Sequence, residues 1–329
     1  MLLVTVRRSL SARRFHTFSL AAFLLSTAAA ICQDVVKAAP SPTPLLWKSD
    51  HALHLIGLIE SKPNIEGILS ISPTTITFAT SSGQTTIERA RIFAISAGDM
   101  HMEKGGTLGR FSRKVIPYGG GSVIAAVTHK QVDLLTVEFR DAHDAYHGAV
   151  FLLPKLEALN AAKLFGSPLA QAKIEEQQHP CVDGTAGMAT LKISTIDAAD
   201  VPVPTEYKVL LYEQLIRRLQ ADAGFGQVFR DGDRASGAAC PMASLALSLS
   251  AFNKGNAAVR ASTGPLGMFL GVTSLKFHVH LQDYQGKVLL DKDLKETERG
   301  DSDSLDIANK LAKSVTKKLK KTAAHQKPA

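Results

Sequence analysis

The run "KFHVHLQD" places His278 and His280 two residues apart. In a strand both imidazoles stand on one face, a spacing at which they could share a metal ion. Two imidazoles are an incomplete set, because zinc takes three protein ligands even where one position stays open. The sequence defines no third ligand, so no metal and no cofactor is assigned. "DAHDAYH" also holds ligand types, in His143, Asp144 and His147, yet it falls where a hairpin tip is expected. Asp231 and Asp233 in "RDGDR" read as a turn, with calcium binding the lesser alternative. Neither H-E-x-x-H nor G-x-S-x-G is present, and no catalytic residue is assigned. The competing enzymatic reading is metal-assisted hydrolysis through a histidine or aspartate cluster.

Two glycine-rich stretches are the other candidate devices. "GNAAVRASTGPLGMFLGVTSLKF" leads into a strand, whereas a phosphate cradle needs backbone amides converging at a helix start. Leu266, Met268, Phe269 and Leu270 are apolar, so this loop either packs across a sheet end or presents an interaction tip. "DMHMEKGGTLGRFSRKVIPYGGGSVIAAVTHK" carries Lys104, Arg110, Arg113 and Lys114, and is either a solvated loop or a site for an anionic headgroup. Neither stretch fits the phosphate-loop spacing G-x-x-x-x-G-K-[ST].

The N-terminus supplies an address. Arg7, Arg8, Arg13 and Arg14 precede an apolar run from Phe18 to Ile31, with no acid before it. That run is short and alanine-rich for a membrane span, and Ala28 and Ala30 give the A-x-A spacing of a cleavage site. The protein is therefore expected to be exported, to the periplasm or the outer-membrane surface. Ile31 stands where lipidation needs a small residue, so Cys32 is not read as an acylation site. Cleavage after Ala30 removes four arginines from a formal net charge of +8 and leaves about +4. Much of that excess lies in the terminal run "NKLAKSVTKKLKKTAAHQKPA", and aromatics make up only 6% of the chain. Nucleic-acid binding, which needs a basic face carrying base-reading or stacking groups, is not expected. The expected partner is a protein of the cell envelope, with an anionic membrane surface as the alternative.

The elements that must position these residues fall into two expected domains. The divisions are a signal peptide over 1–30, a proline-rich disordered leader over 31–50, a β domain over 51–166, a linker over 167–187, an α/β domain over 188–322 and a disordered tail over 323–329. In the β domain, "IEGILSISPTTITFATSSGQTTIERARIF" alternates with period two, and "VDLLTVEFRDAHDAYHGAVFLLP" reads as a hairpin with Leu135, Val137 and Phe139 on one face. "PKLEALNAAKLF" reads as a helix entered at Pro154, with Leu156, Leu159, Ala162, Leu164 and Phe165 apolar. This order, antiparallel strands closed by one C-terminal helix, resembles a pleckstrin-homology-type barrel. The resemblance implies a binding module and no reaction.

From Met188 the pattern changes. "ATLKIST" is a strand, and the next segment is a helix whose stripe is Tyr207, Leu211, Leu215 and Leu219, widened by Leu210 and Ile216. Short strands follow at "QVFRD" and "SLALSLSAFNKG", then a hairpin turned at "DYQG". The final helix carries Ala308, Leu311, Ala312, Val315 and Leu319 on one face and lysines on the other. The fold class is thus α+β, the second part being a small α/β sandwich of order β-α-β-β-β-β-α. With Gly255-Asn256 and Arg260, the glycine-rich stretch ending at Gly271, the strand "SLKFHVHLQD" and the "YQGKVL" hairpin, this part resembles an uncharacterised bacterial envelope domain. That domain is related in fold to the periplasmic part of the curli secretion lipoprotein, and the resemblance implies no activity. The strands from Leu191 and Leu245 are expected to be parallel neighbours. Their upstream ends carry Cys181 and Cys240, so a disulfide between these two is expected; closing that loop of about sixty residues would stabilise by roughly 4 kcal/mol.

Overall fold

The period-two runs of the first half become seven strands: β1 Trp47–Ile56, β2 Ile65–Ile71, β3 Thr75–Thr80, β4 Gly83–Glu88, β5 Ile92–Met100, β6 Val132–Arg140 and β7 Tyr146–Pro154. This computed structural model describes residues 44–100, 132–154, 156–166, 190–198, 200–221, 225–233, 241–255, 272–298 and 305–326. The seven strands form one sheet in the order β4-β3-β2-β1-β7-β6-β5, antiparallel at every pairing. The sheet is open where a closed barrel is expected. Its edges, β4 and β5, are joined by a single 3-10 turn, Arg89–Arg91. Arg89 in that turn donates to the Leu164 carbonyl at 2.9 Å and lies over the Phe165 ring at 4.3 Å. That side chain ties the turn to the segment just after residue 163.

Helix α1 runs from Glu157 to Lys163, and its phase differs from the expected one. Pro154 ends β7, and Leu156 caps the helix in a left-handed conformation (φ 68°), with its N–H donated to the Asp133 carboxylate. That backbone reversal rotates the helix. Leu156 and Leu159 end exposed, at 54% and 44%, while Ala158 and Ala161 are buried. Small side chains at those two positions let the helix approach β5 and β6 closely. Ala158, Ala161 and Phe165 join Leu69, Ile76, Phe78, Leu135, Val137 and Phe151 in one core cluster.

β7 is buried at eight consecutive positions, a pattern that alternation on one face cannot produce. Ala149, Phe151 and Leu153 enter the cluster beneath α1, whereas Tyr146, Val150 and Leu152 enter a second, larger cluster. The second cluster is completed by the C-terminal half of the chain. There β8 (Thr190–Ile193), helix α2 (Thr205–Gln220), β9 (Gln227–Phe229), β10 (Ala243–Asn253), β11 (Thr273–Asp283), β12 (Val288–Glu298) and helix α3 (Asp306–Gln326) follow in the order β-α-β-β-β-β-α. Their sheet has the order β12-β11-β10-β8-β9, with β8 parallel to both β10 and β9.

Helix α2 is the crossover between β8 and β9, and it packs against both sheets. Its stripe of Tyr207, Leu210, Leu211, Leu215, Ile216 and Leu219 is buried together with Val209 and Tyr212. Burying each such aliphatic side chain stabilises by about 1.5–3 kcal/mol. Leu53, Leu55, Leu134 and Leu152 of the first sheet share that core with Leu245, Leu247, Phe277 and Val279 of the second. Helix α3 buries Ala308, Leu311, Ala312, Val315 and Leu319, and leaves Lys313, Lys317, Lys320 and Lys321 exposed. The two helices therefore cover one face of the second sheet. Its other face is lined on β10 by Ser244, Ala246, Ser248 and Ser250, none of them buried.

Candidate functional site

That open face brings the two histidines of β11 together with acids that the sequence leaves ten and more residues away. The β11–β12 hairpin turns at Asp283–Lys287, where the Asp283 carboxylate accepts the N–H groups of Gln285 and Lys287 and Gly286 takes φ 82°. The resulting register pairs His278 with Asp293 and His280 with Asp291. His278 Nδ1 donates to Asp293 Oδ1 at 2.8 Å, and its Nε2 lies 3.2 Å from Asp291 Oδ1. His280 Nδ1 donates to Asp291 Oδ2 at 3.0 Å. The two rings are nearly parallel, 6.5 Å apart.

Carboxylates facing both nitrogens of His278 favour its doubly protonated form. Its pKa is raised, chiefly by the bond to Asp293, with the Asp291 charge adding to it. Asp291 is held below the usual carboxylate range by its bond to His280 and by the neighbouring His278. On the other side of β11, Ser248 pairs with His278 and Ala246 with His280, so small side chains flank the cluster. One ligand atom from each of His278, His280 and Asp291 lies within 4.8 Å of the others. This third ligand type was not legible from local spacing; it comes from the hairpin register.

The buried ionisable groups serve a different purpose. Glu213 of α2 accepts two bonds from Arg230, at 2.7 and 2.9 Å, and a third from the Gly148 amide of β7 at 3.0 Å. Arg230 also donates to the Tyr146 carbonyl at 3.0 Å. Burial works against the Arg230 charge, but Glu213 more than offsets it. Tyr146 donates to Glu138 at 2.7 Å, and Tyr212 accepts the Asp231 amide at 2.9 Å. Burial pushes both phenols up. Arg140 reaches the Asp144 carbonyl at 2.7 Å and the Asp231 carboxylate at 3.5 Å. The network joins the first sheet to α2 and to the turn after β9.

The other sequence candidates separate. His147 of "DAHDAYH" is a buried strand residue stacked on Phe139 and bonded to Asp141 at 3.2 Å, while His143 is exposed in the turn. Asp231 sits in a turn beside Gly232 (φ 71°), as expected of "RDGDR". An S-x-x-K spacing occurs at Ser314 to Lys317 of α3, where Lys317 is exposed. The Gly255 amide donates to Thr273 at the start of β11, at 3.2 Å. Asn256, Arg260, Leu266, Met268, Phe269 and Leu270 lie outside the described residues, as do Lys104, Arg110, Arg113, Lys114, Cys181 and Cys240. A cavity of about 170 Å³ lies where β1, α2 and the start of α3 meet, lined by Leu53, Leu55, Leu210, Arg217, Asp306 and Asn309 among others. No helix among the described residues is long and apolar enough to cross a membrane.

No protein-family description and no curated protein sequence matches the chain. Among solved structures it is similar to the hypothetical protein CT253 from Chlamydia trachomatis, with 10% identity and a TM-score of 0.30, over 42% of this chain and 99% of that one. It is similar to the PelC dodecamer protein from Paraburkholderia phytofirmans, with 14% identity and a TM-score of 0.26, over 40% of this chain and 90% of that one. A third is protein XCC0632 from Xanthomonas campestris, of the DUF330 family, with 12% identity and a TM-score of 0.28, over 45% of this chain and 87% of that one. Likeness at this level assigns the chain neither a family nor an activity.

Proposed function

We propose that the protein is an exported, non-enzymatic binding module of the cell envelope, acting as an adaptor for a partner protein. The observation that carries this reading is how the buried ionisable groups are used. Glu213, Arg230 and Tyr146 bond to backbone and to one another across the junction between the first sheet and α2. Groups tied in this way hold elements in register. The histidine–aspartate cluster, in turn, stands on an open strand face, whereas a substrate site is ordinarily concave. Metal-assisted hydrolysis therefore fits this face less well than recognition does.

The leader of four arginines, an apolar run and Ala28/Ala30 supports export. The run of seven antiparallel strands followed by α1 supports kinship with pleckstrin-homology-type binding modules, and the open edge is where the sheet departs from their barrel. The β-α-β-β-β-β-α order of the second half supports an envelope-type α/β domain, and the relation to the curli secretion lipoprotein module is proposed on the sequence resemblance. Crosslinking and pulldown from envelope fractions, with the full chain as bait, tests the reading. A stoichiometric partner lost on Phe269→Asp, with circular dichroism unchanged, supports it and assigns the apolar loop. Liposome association that is sensitive to salt and lost on neutralising Lys104, Arg110, Arg113 and Lys114 replaces the protein partner with an anionic surface. Turnover of a phosphate or carboxylic ester that is lost on His280→Gln overturns it.

A further inference from the structure

We propose that His278, His280 and Asp291 form a binding site for one divalent transition-metal ion, zinc above all, on the open face of the second sheet. This inference stands apart from the adaptor reading. Its chemistry is that of a site with two imidazoles and one carboxylate, a set that leaves a fourth position for water.

The distances fit one ion. His280 Nδ1 lies 3.0 Å from Asp291 Oδ2, and His278 Nε2 lies 3.2 Å from Asp291 Oδ1. Two ligand atoms about 2.0–2.1 Å from a tetrahedral zinc stand about 3.3 Å apart. All three ligand atoms lie within 4.8 Å of one another, so an ion that displaces the proton between each imidazole and Asp291 draws these half-exposed side chains together by up to about 1.5 Å.

The second feature is the partner of His278. Its Nε2 faces the shared carboxylate while its Nδ1 donates to Asp293 at 2.8 Å. A metal-binding histidine ordinarily donates its other N–H to a carboxylate in this way, which fixes the tautomer and raises the basicity of the ligating nitrogen. Surface ion pairs alone do not require one carboxylate to bridge two imidazoles while a second carboxylate orients one of them. The ion would also tie β12, the outermost strand, to β11, since the ligands come from both. On the β10 side the residues paired with the two histidines are the small Ala246 and Ser248.

Titration calorimetry with zinc chloride on the chelator-treated full chain tests the site, together with thermal melts with and without zinc. The expected result is one equivalent bound and a zinc-dependent rise in melting temperature. Asp291→Asn and His280→Gln are expected to abolish the tight isotherm and the rise. Asp293→Asn is expected to weaken binding about 10–100-fold, as loss of an orienting partner does. His143→Gln, in the exposed turn, controls for adventitious binding by the chain's 11 histidines and is expected to change nothing. No stoichiometric binding by the wild-type chain overturns the proposal, as does binding that survives Asp291→Asn and His280→Gln. Variants whose metal-free melts match wild type make loss of fold an untenable explanation.

Discussion

Glu213 and Arg230 are held together by two parallel bonds, 2.7 and 2.9 Å long, and the same Glu213 carboxylate receives the Gly148 amide of a strand 65 residues earlier in the chain. One side chain thus joins the crossover helix, the turn after β9 and the last strand of the first sheet. Paired and satisfied, such a group specifies how these elements dock. Broken, it leaves a buried charge without its counterion.

Replacing Glu213 with alanine is therefore expected to cost about 3–5 kcal/mol, because Arg230 stays behind, buried and unpaired. Urea denaturation of wild type and variant measures the difference. A loss under about 1 kcal/mol would indicate that water reaches Arg230 and that the pair is dispensable.

Gly148 permits the same junction sterically. A Cβ built there would lie 2.3 Å from Val209 Cγ1 on α2. Gly148→Ala is expected to destabilise by about 1–3 kcal/mol through overpacking. Val209→Ala in the same chain should recover part of that loss, and the double-mutant cycle reads the coupling directly. Simple additivity would place the helix farther from β7 than it stands here.

His54 makes stability depend on pH. Its Nδ1–H donates to the Lys62 carbonyl at 3.1 Å and its Nε2 accepts the Leu58 amide at 3.1 Å, beside Phe78 and Phe151. Burial lowers its pKa from 6.5, although the Lys62 bond and the Glu213 charge oppose the shift. Below pH 6.5 the unfolded chain binds the proton more readily, so stability falls as pH drops toward the folded-state value, by at most about 1.4 kcal/mol per pH unit for one group. His147, also lowered by burial, acts in the same sense. His278, raised by Asp293, acts in the opposite sense and is half-exposed, so its contribution is small. Unfolding free energies at pH 7.5, 6.5 and 5.5 should slope less in His54→Gln than in wild type. Equal slopes would assign the effect elsewhere.

The shared core predicts how fragments behave. A chain ending at residue 166 exposes Leu53, Leu55, Leu134, Val150 and Leu152, which α2 covers in the whole protein. Such a fragment is expected to melt without a cooperative transition, and to regain one on mixing with residues 188–329. A sharp melt for the fragment alone would show that the first sheet is stable without α2.

Much of the local structure was legible because it rests on periodicity. The stripes of α2 and α3, the alternation of Leu245, Leu247 and Leu249, and the "DYQG" turn each follow from residue types at fixed spacing. The parallel pairing of β8 with β10 was expected from the element order of the resembled envelope domain, and the two strands do pair in parallel. Helix α1 was misread in phase because the left-handed Leu156, bonded to Asp133 from another strand, carries no signal in its own segment.

The class and order of the elements therefore follow from local residue patterns, because turn chemistry and hydrophobic period act over a few residues. Tertiary structure alone decided that α2 covers two sheets at once, since the eight buried positions of β7 do not say which neighbour buries each face. It likewise decided which acids meet His278 and His280. Strand register, set by the hairpin and by which face the helices cover, brings Asp291 and Asp293 across from them.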